Sequence, residues 1–345
     1  MTQKTSNKTR LNGLGDIIVH RVDIGNESNG ETGIAKTLAE GAKPTTRAEF
    51  DFERRVFAFL TEHCPQFTAR PQVYVSEANY MLMSDLGTSQ PTSERVYPIS
   101  LADSMAQLHC ASQGLGQQFG QATEANQKTK FSIEQCLSFA QTGQTLLGNI
   151  LRQVCHESAD TMLDLSEGVF KQVLNPGPFG AVIHHDLAAP RQWINTRDQC
   201  YLIDFELAKY THVLLELSRL QLGSWEQDRQ NRSSYKLKRW AVPEAFINHY
   251  KNRLFEGGQF AELQQDFAGQ HQQALLFTLL LNLGVLDVAQ EKYGSAEPLG
   301  ACIVALLDAY LEGAYFEVDG EGDDEIEQYR EVNRAIERAG QRISV

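Results

Sequence analysis

The spacing of apolar residues changes character near residue 87, and that change constrains the fold more than any single motif. Upstream, DIIVHRVDI (16–24) and TGIAKTLA (32–39) are β-rich runs separated by GNESNGE, whose Gly and Asn residues suit a turn between antiparallel strands. PQVYVSE (71–77) and NYMLMSDL (79–86) are two further short β-like runs. Between the pairs, Phe52, Val56, Phe59 and Leu60 recur at helical spacing, predicting an amphipathic helix over 46–62 with Thr46 and Glu49 as a capping box. GTSQPTSERVYP (87–98) is dense in turn formers and reads as a hinge. Beyond it the pattern is helical: 99–112, with Leu101, Met105 and Leu108 on one face; 132–154; and most of 211–315. Residues 113–130 read as a solvated loop, and two strand-like runs, NPGPFGAVIHHDL and QCYLIDFELA, follow residue 175. The tail from 317 is acidic and then amphipathic. The expectation is an α+β chain of two lobes, residues 1–87 and 88–345.

Composition narrows the classes. With 42% hydrophobic and 22% charged residues, the 345-residue chain is neither disordered, collagen-like nor a coiled coil, and it is long enough for two lobes around a cleft. A net charge of −13 and a pI near 5.2 argue against a nucleic-acid or anionic-lipid partner. The six cysteines are scattered, with no Cys-x-x-Cys pair and no His cluster at metal-ligand spacing, which fits reduced thiols in a cytoplasmic protein. The N-terminus lacks the apolar core of a signal peptide. The most apolar stretch, 274–286, is too short to cross a bilayer, so no transmembrane segment is expected.

The chemistry concentrates in AVIHHDLAAPRQWINTRDQCYLIDFELA (181–208). An Asp in a loop after a strand, an amide a few positions on, and an Asp closing the next strand are the parts that phosphoryl transfer needs: one carboxylate to orient and deprotonate a hydroxyl, and oxygen ligands for Mg²⁺. Here they are Asp186, Gln192 and Asp204. Either Asp alone reads equally well as a turn cap in an unrelated fold.

Taken jointly, and with the order of elements, the chain resembles the aminoglycoside phosphotransferase and choline kinase family over nearly all of residues 11–315. That resemblance implies a two-lobed, protein-kinase-like fold with a small β-rich N-lobe carrying one main helix and a larger, mostly helical C-lobe. The family loop is commonly His-Gly-Asp-Leu-His-Pro-x-Asn, and an Ile-Asp-Phe/Trp-Glu strand end follows. This chain has His184-His185-Asp186-Leu187 and Leu202-Ile203-Asp204-Phe205-Glu206. The resemblance makes Asp186 the catalytic base, Asp204 a Mg²⁺ ligand and His184 a residue that shapes the loop. The family Asn is expected five residues after the Asp, where Arg191 stands; one inserted residue makes Gln192 the metal-binding amide.

In the N-terminal third, Gly33-Ile34-Ala35-Lys36 resembles the strand carrying the ATP-contacting lysine, and Glu53 lies on the helix whose Glu pairs with it, with Glu49 a rival. Leu11-Asn12-Gly13-Leu14-Gly15 reads as a phosphate-covering loop or an ordinary turn. Tyr80 to Leu86, with Met83 and Asp85, sits where the family receives adenine. Seventy-five residues separate His109 from His184, and no Ala-Pro-Glu segment occurs, which favours the small-molecule branch over protein kinases. The implied function is ATP- and Mg²⁺-dependent phosphorylation of a small-molecule hydroxyl acceptor (aminoglycoside, choline-like or sugar). Two alternatives stand beside it: a catalytically impaired kinase-like nucleotide-binding or regulatory protein, and a lipopolysaccharide-core or other sugar kinase. Residues 287–327 carry a net charge of −11 suited to a cationic acceptor or to a solvated face. Arg229, Arg232, Lys236, Lys238 and Arg239 suit a phosphorylated sugar or a solvated loop. Charge does not choose between them, and the oligomeric state is not readable.

Overall fold

The computed structural model describes residues 9–11, 16–24, 31–90, 95–123, 132–188, 190–227, 235–293, 299–315 and 324–343. Five strands form one antiparallel sheet in the order β1 (Thr9–Leu11), β2 (Ile17–Asp23), β3 (Thr32–Leu38), β5 (Tyr80–Ser84), β4 (Val73–Glu77). The β-branched runs read from the sequence are therefore strands, and β3, the most buried, lies between β2 and β5. Helix α1 (Pro44–His63) is inserted between β3 and β4 and buries Phe50, Phe52, Val56, Phe57, Phe59 and Leu60. It starts earlier than the spacing predicts, with Pro44 in its first turn, where a missing N–H costs nothing. The capping box does not form: the cap position is Lys43, without a side-chain cap, and Thr46 reaches Asp16 instead.

The remainder is mainly helical: α2 (Ile99–Ser112), α3 (Gly116–Thr123), α4 (Ile133–Val154), α5 (His156–Leu174), α6 (Leu214–Leu222), α7 (Glu244–Phe255), α8 (Ala261–Gln265), α9 (Phe267–Tyr293), α10 (Leu299–Tyr315) and α11 (Asp324–Ile343). Three two-stranded ribbons interrupt it: β6 (Gly180–Ile183) with β9 (Lys209–His212), β7 (Trp193–Asn195) with β8 (Cys200–Leu202), and β10 (Ser224–Gln227) with β11 (Tyr235–Lys238). Three details correct the sequence reading. Part of the expected solvated loop at 113–130 is helix α3, because Phe119 buries itself edge-on to Phe59 at 5.2 Å. Helix α5 carries no motif that singled it out, and the β10–β11 ribbon breaks the helical run expected after 211. The glycines of the 11–15 loop, the centre of the 87–98 hinge, the GNESNG turn, Arg229 and Arg232, and much of the acidic 287–327 run lie outside the described residues. No helix among the described residues is long and apolar enough to cross a membrane, and all six cysteines are free thiols.

Helices α4 and α9 cross at backbone contact. A Cβ on Gly143 would stand 1.9 Å from the Leu280 carbonyl oxygen, and one on Gly284 would stand 1.8 Å from that of Phe139. Neither neighbour is a flexible side chain, so the helices themselves must part. Gly143→Ala should therefore lower stability by about 1–3 kcal/mol in denaturant unfolding. Gly168→Ala, at an open helical position on α5, should leave stability unchanged or slightly raised.

Candidate active site

Lysine 36 projects from the centre of β3, paired in register with Val19 and Met81. Its side chain is 6% exposed, and its ammonium donates to Glu53 Oε2 at 2.5 Å and to Asp204 Oδ1 at 2.7 Å. Three separate elements meet there: the sheet, helix α1 and the segment after β8. Glu53 rather than Glu49 receives the ammonium; both are buried on α1, and Glu53 is the deeper of the two, 1% against 9% exposed. Burial acts on all three charges. It opposes the Lys36 charge, but Glu53 and Asp204 overcome it and hold the ammonium well above its ordinary value. It lifts the Glu53 carboxyl to about 7 against the pull of Lys36, whereas Asp204, facing the same burial, is held below its ordinary value chiefly by Lys36.

Phe205 brings Asp204 to α1. Its ring meets Phe57 edge-on at 5.3 Å, Phe67 at 6.4 Å and the His184 imidazole at 4.7 Å. Asp204 itself adopts a left-handed backbone, φ 58° and ψ 61°, which a short polar side chain tolerates better than most. The carboxylate remains 38% exposed.

Asp186 lies in the loop between β6 and β7, and several bonds shape that loop. His184 Nε2 donates to the Ile203 carbonyl at 2.5 Å, and the Ile203 amide donates to the Gln192 carbonyl at 3.0 Å, so loop and Asp204 strand are stitched together. Trp193 Nε1 donates to Leu187 O and the buried Tyr97 hydroxyl to Ala188 O. His185, at φ 71°, takes a conformation that favours glycine. Its amide donates to both Glu216 oxygens, at 2.9 and 3.2 Å, and its Nδ1 accepts from the Lys209 ammonium at 3.0 Å. Buried, and beside Arg219 and Lys209, the imidazole is pushed well below its ordinary pKa and is neutral. No motif in the sequence singles out Glu216, Lys209 or Arg219.

Gln192 donates through Nε2 to Asp186 Oδ2 at 2.6 Å, and its other amide atom, Oε1, is buried with no partner. An orphaned acceptor is costly unless a ligand fills it, and a hard cation is the ligand an amide oxygen suits. Gln192 Oε1 and the accessible Asp204 carboxylate therefore fit Mg²⁺. No cluster of three or more His, Cys, Asp or Glu able to hold a metal occurs among the described residues, so such an ion would depend on phosphate oxygens as well.

Two expected residues stand apart from this centre. Met83 is buried in the core, as is Met81. Asp85 is committed to Arg21 at 2.5 Å, Thr32 Oγ1 at 2.7 Å and the Gly87 amide at 2.9 Å, so it ties the start of the hinge to β2 and β3. Arg191 is exposed, with its charge near Asp204.

No protein-family model matches the sequence, and no curated protein does. Solved structures do match. A choline kinase from Cryptosporidium parvum shares the fold with a TM-score of 0.54 at 13% identity, over 96% of this chain and 93% of that one. A Plasmodium vivax ethanolamine kinase (TM-score 0.46, 14% identity, 96% and 81% covered) and an aminoglycoside phosphotransferase from Alicyclobacillus acidocaldarius (0.47, 15%, 99% and 93%) are also similar. The fold is thus the two-lobed, protein-kinase-like one.

The raised Glu53 pKa has a definite sign in stability. Its folded value of about 7 lies above the ordinary 4.5, so the folded state prefers the neutral acid. The stability this contributes is complete below 4.5 and is lost as pH rises through 7. Glu53→Gln removes that loss, so thermal unfolding should show the variant gaining on wild type as pH rises from about 4.5 to 7.

Proposed function

We propose that this chain transfers the γ-phosphoryl group of ATP to a hydroxyl of a small molecule. The reading is carried by one observation: the Lys36 ammonium, shared by Glu53 and Asp204, is fixed in the same site as an Asp186 carboxylate held by Gln192. The shared fold agrees with it but does not by itself name a function.

In this reading Lys36 binds the α- and β-phosphates, with Glu53 fixing its position. Met83 forms part of the buried floor below the adenine, and Asp85 holds the hinge backbone in place through Arg21 and Thr32. Asp186 accepts the proton of the acceptor hydroxyl and orients its oxygen toward the phosphorus. Gln192 keeps that carboxylate pointed, and the Glu216 and Lys209 bonds to His185 keep the loop in its left-handed turn. Asp204 and Gln192 would hold Mg²⁺, which supplies charge neutralisation to the phosphate oxygens when bound. The residues before and after Asp186 are buried, so the base is presented from a fixed loop rather than a flexible one.

The impaired-kinase alternative draws on Gln192, whose amide caps the carboxylate that should act as base. Turnover separates the two. With an acceptor identified by screening, Asp186→Asn should lower kcat about 100- to 10,000-fold while leaving the KM for ATP within a few-fold. Asp204→Ala should abolish measurable transfer. Wild-type protein that binds nucleotide and turns over no acceptor, but gains transfer when Ala189 is deleted and Gln192 replaced by Asn, would favour the impaired reading.

A further inference from the structure

Two buried aromatic donors, Trp193 and Tyr97, hold the backbone that follows Asp186. Trp193 Nε1 donates to Leu187 O at 3.3 Å, and the Tyr97 hydroxyl donates to Ala188 O at 3.3 Å. The acceptors are successive carbonyls, one and two residues after Asp186, and both residues that bear them are buried. A buried carbonyl without a partner is costly, so each donor meets a need of the loop. Burial also holds the Tyr97 phenol above its ordinary pKa, which keeps it a donor. Trp193 directly follows Gln192, whose amide donates to Asp186 Oδ2, so one of the two donors comes from the start of β7 itself.

Tyr97 comes from elsewhere, the segment that leads from the sheet into α2. Its amide donates to Ala241 O at 3.1 Å, and the Ala241 amide donates to Arg95 O at 2.8 Å, so a bridge to residue 241 fixes its backbone. Its ring lies 5.7 Å from that of Trp240 and 6.2 Å from that of Phe246 on α7. Trp240 in turn meets Trp193 edge-on at 5.7 Å, completing a row of three rings, Tyr97, Trp240 and Trp193. The same connecting segment grips β7 upstream. The Gln90 amide donates to Asn195 O at 2.7 Å, and the Asn195 amide donates to Ser89 Oγ at 3.2 Å. The backbone that joins the sheet to the helical part is thus bonded at two places to the loop and strand that carry Asp186 and Gln192.

We propose that Tyr97 is a positioning residue for phosphoryl transfer: through the Ala188 carbonyl, its hydroxyl fixes the Asp186 carboxylate relative to the segment that joins the sheet to the helical part. This deepens the phosphotransferase reading above and rests on it. In that reading Lys36, on the sheet, holds the phosphates and Asp186, in the helical part, receives the proton, so transfer needs the two in one register. A misplacement of about 1 Å can cost about 100-fold in rate. The Lys36 to Asp204 ion pair ties the halves together at the phosphates, and the Tyr97 and Asn195 bonds tie the connecting segment to the base. Trp193 holds the adjacent carbonyl from the other side of the same loop in sequence.

The test is Tyr97→Phe in the full chain, which deletes one oxygen and keeps the ring against Trp240 and Phe246. With an acceptor identified by screening, and kcat referred to the folded fraction measured by denaturant unfolding, the variant should lose about 5- to 30-fold in kcat. The KM for ATP, and the calorimetric affinity for a non-hydrolysable ATP analogue, should change less than about twofold. A residue that only stabilised the fold would lower the folded fraction and leave kcat per folded molecule intact. Trp193→Phe removes the neighbouring donor, should show the same split, and carries the test if Tyr97→Phe does not fold. Full kcat per folded molecule in the variants, or a loss that falls on the KM for ATP rather than on kcat, overturns the positioning role and leaves the phosphotransferase reading in place. A wild-type chain that phosphorylates no acceptor overturns that reading, and the positioning role with it.

Discussion

The Lys36 ammonium is the charge on which the arrangement depends. It is nearly buried, and burial of an unpaired cation would cost several kcal/mol, so it is tenable only because Glu53 and Asp204 reach it from two other elements. The consequence is geometric as much as energetic. A strand in the sheet, a helix laid beside it and a segment more than 160 residues further along are fixed at one point. Phe205, packed edge-on to Phe57, supplies the apolar half of the same junction. Two carboxylates share one cation, and their pKa values are driven apart, with Glu53 up and Asp204 down. That divergence separates the two acids: the buried one is pushed toward its neutral form, and the more accessible one is held ionised.

A second junction sets the Asp186 loop. His185 occupies a left-handed backbone position where glycine would sit without strain, and the fold compensates with Glu216 on its amide and Lys209 on its ring. Lys209 can only donate, so His185 Nδ1 accepts and the imidazole is neutral. The polar centre thus has two junctions: Lys36 with Glu53 and Asp204 at the sheet, and His185 with Glu216 and Lys209 behind the loop.

Much of this was legible in the sequence, for identifiable reasons. The hairpin of β2 and β3, the β4–β5 pair and helices α1, α2 and α4 follow from apolar spacing, which local sequence encodes directly. Lys36, Glu53, Asp186, Gln192 and Asp204 stood out because the motifs around them resemble those of the aminoglycoside phosphotransferase and choline kinase family. What the sequence hid depends on tertiary burial. Phe119 looks like a loop aromatic until Phe59 is opposite it. Thr46 and Glu49 satisfy a capping pattern, yet the helix begins at Pro44 and Asp16 takes the threonine. Asp85 sits in the segment expected to receive adenine, and its bond to Arg21, 64 positions away, is a contact that no local pattern encodes. Lys209 belongs to no motif, and only packing shows that its ammonium reaches the His185 ring.

The central claim is that Lys36, Asp204 and Gln192 compose a nucleotide site completed by a divalent cation. Calorimetric titration of ATP into the wild-type chain, with and without Mg²⁺, tests it most directly. The account predicts binding that tightens when Mg²⁺ is present. Absence of ATP binding in both conditions would contradict it and leave a kinase-shaped scaffold whose buried charges serve another purpose.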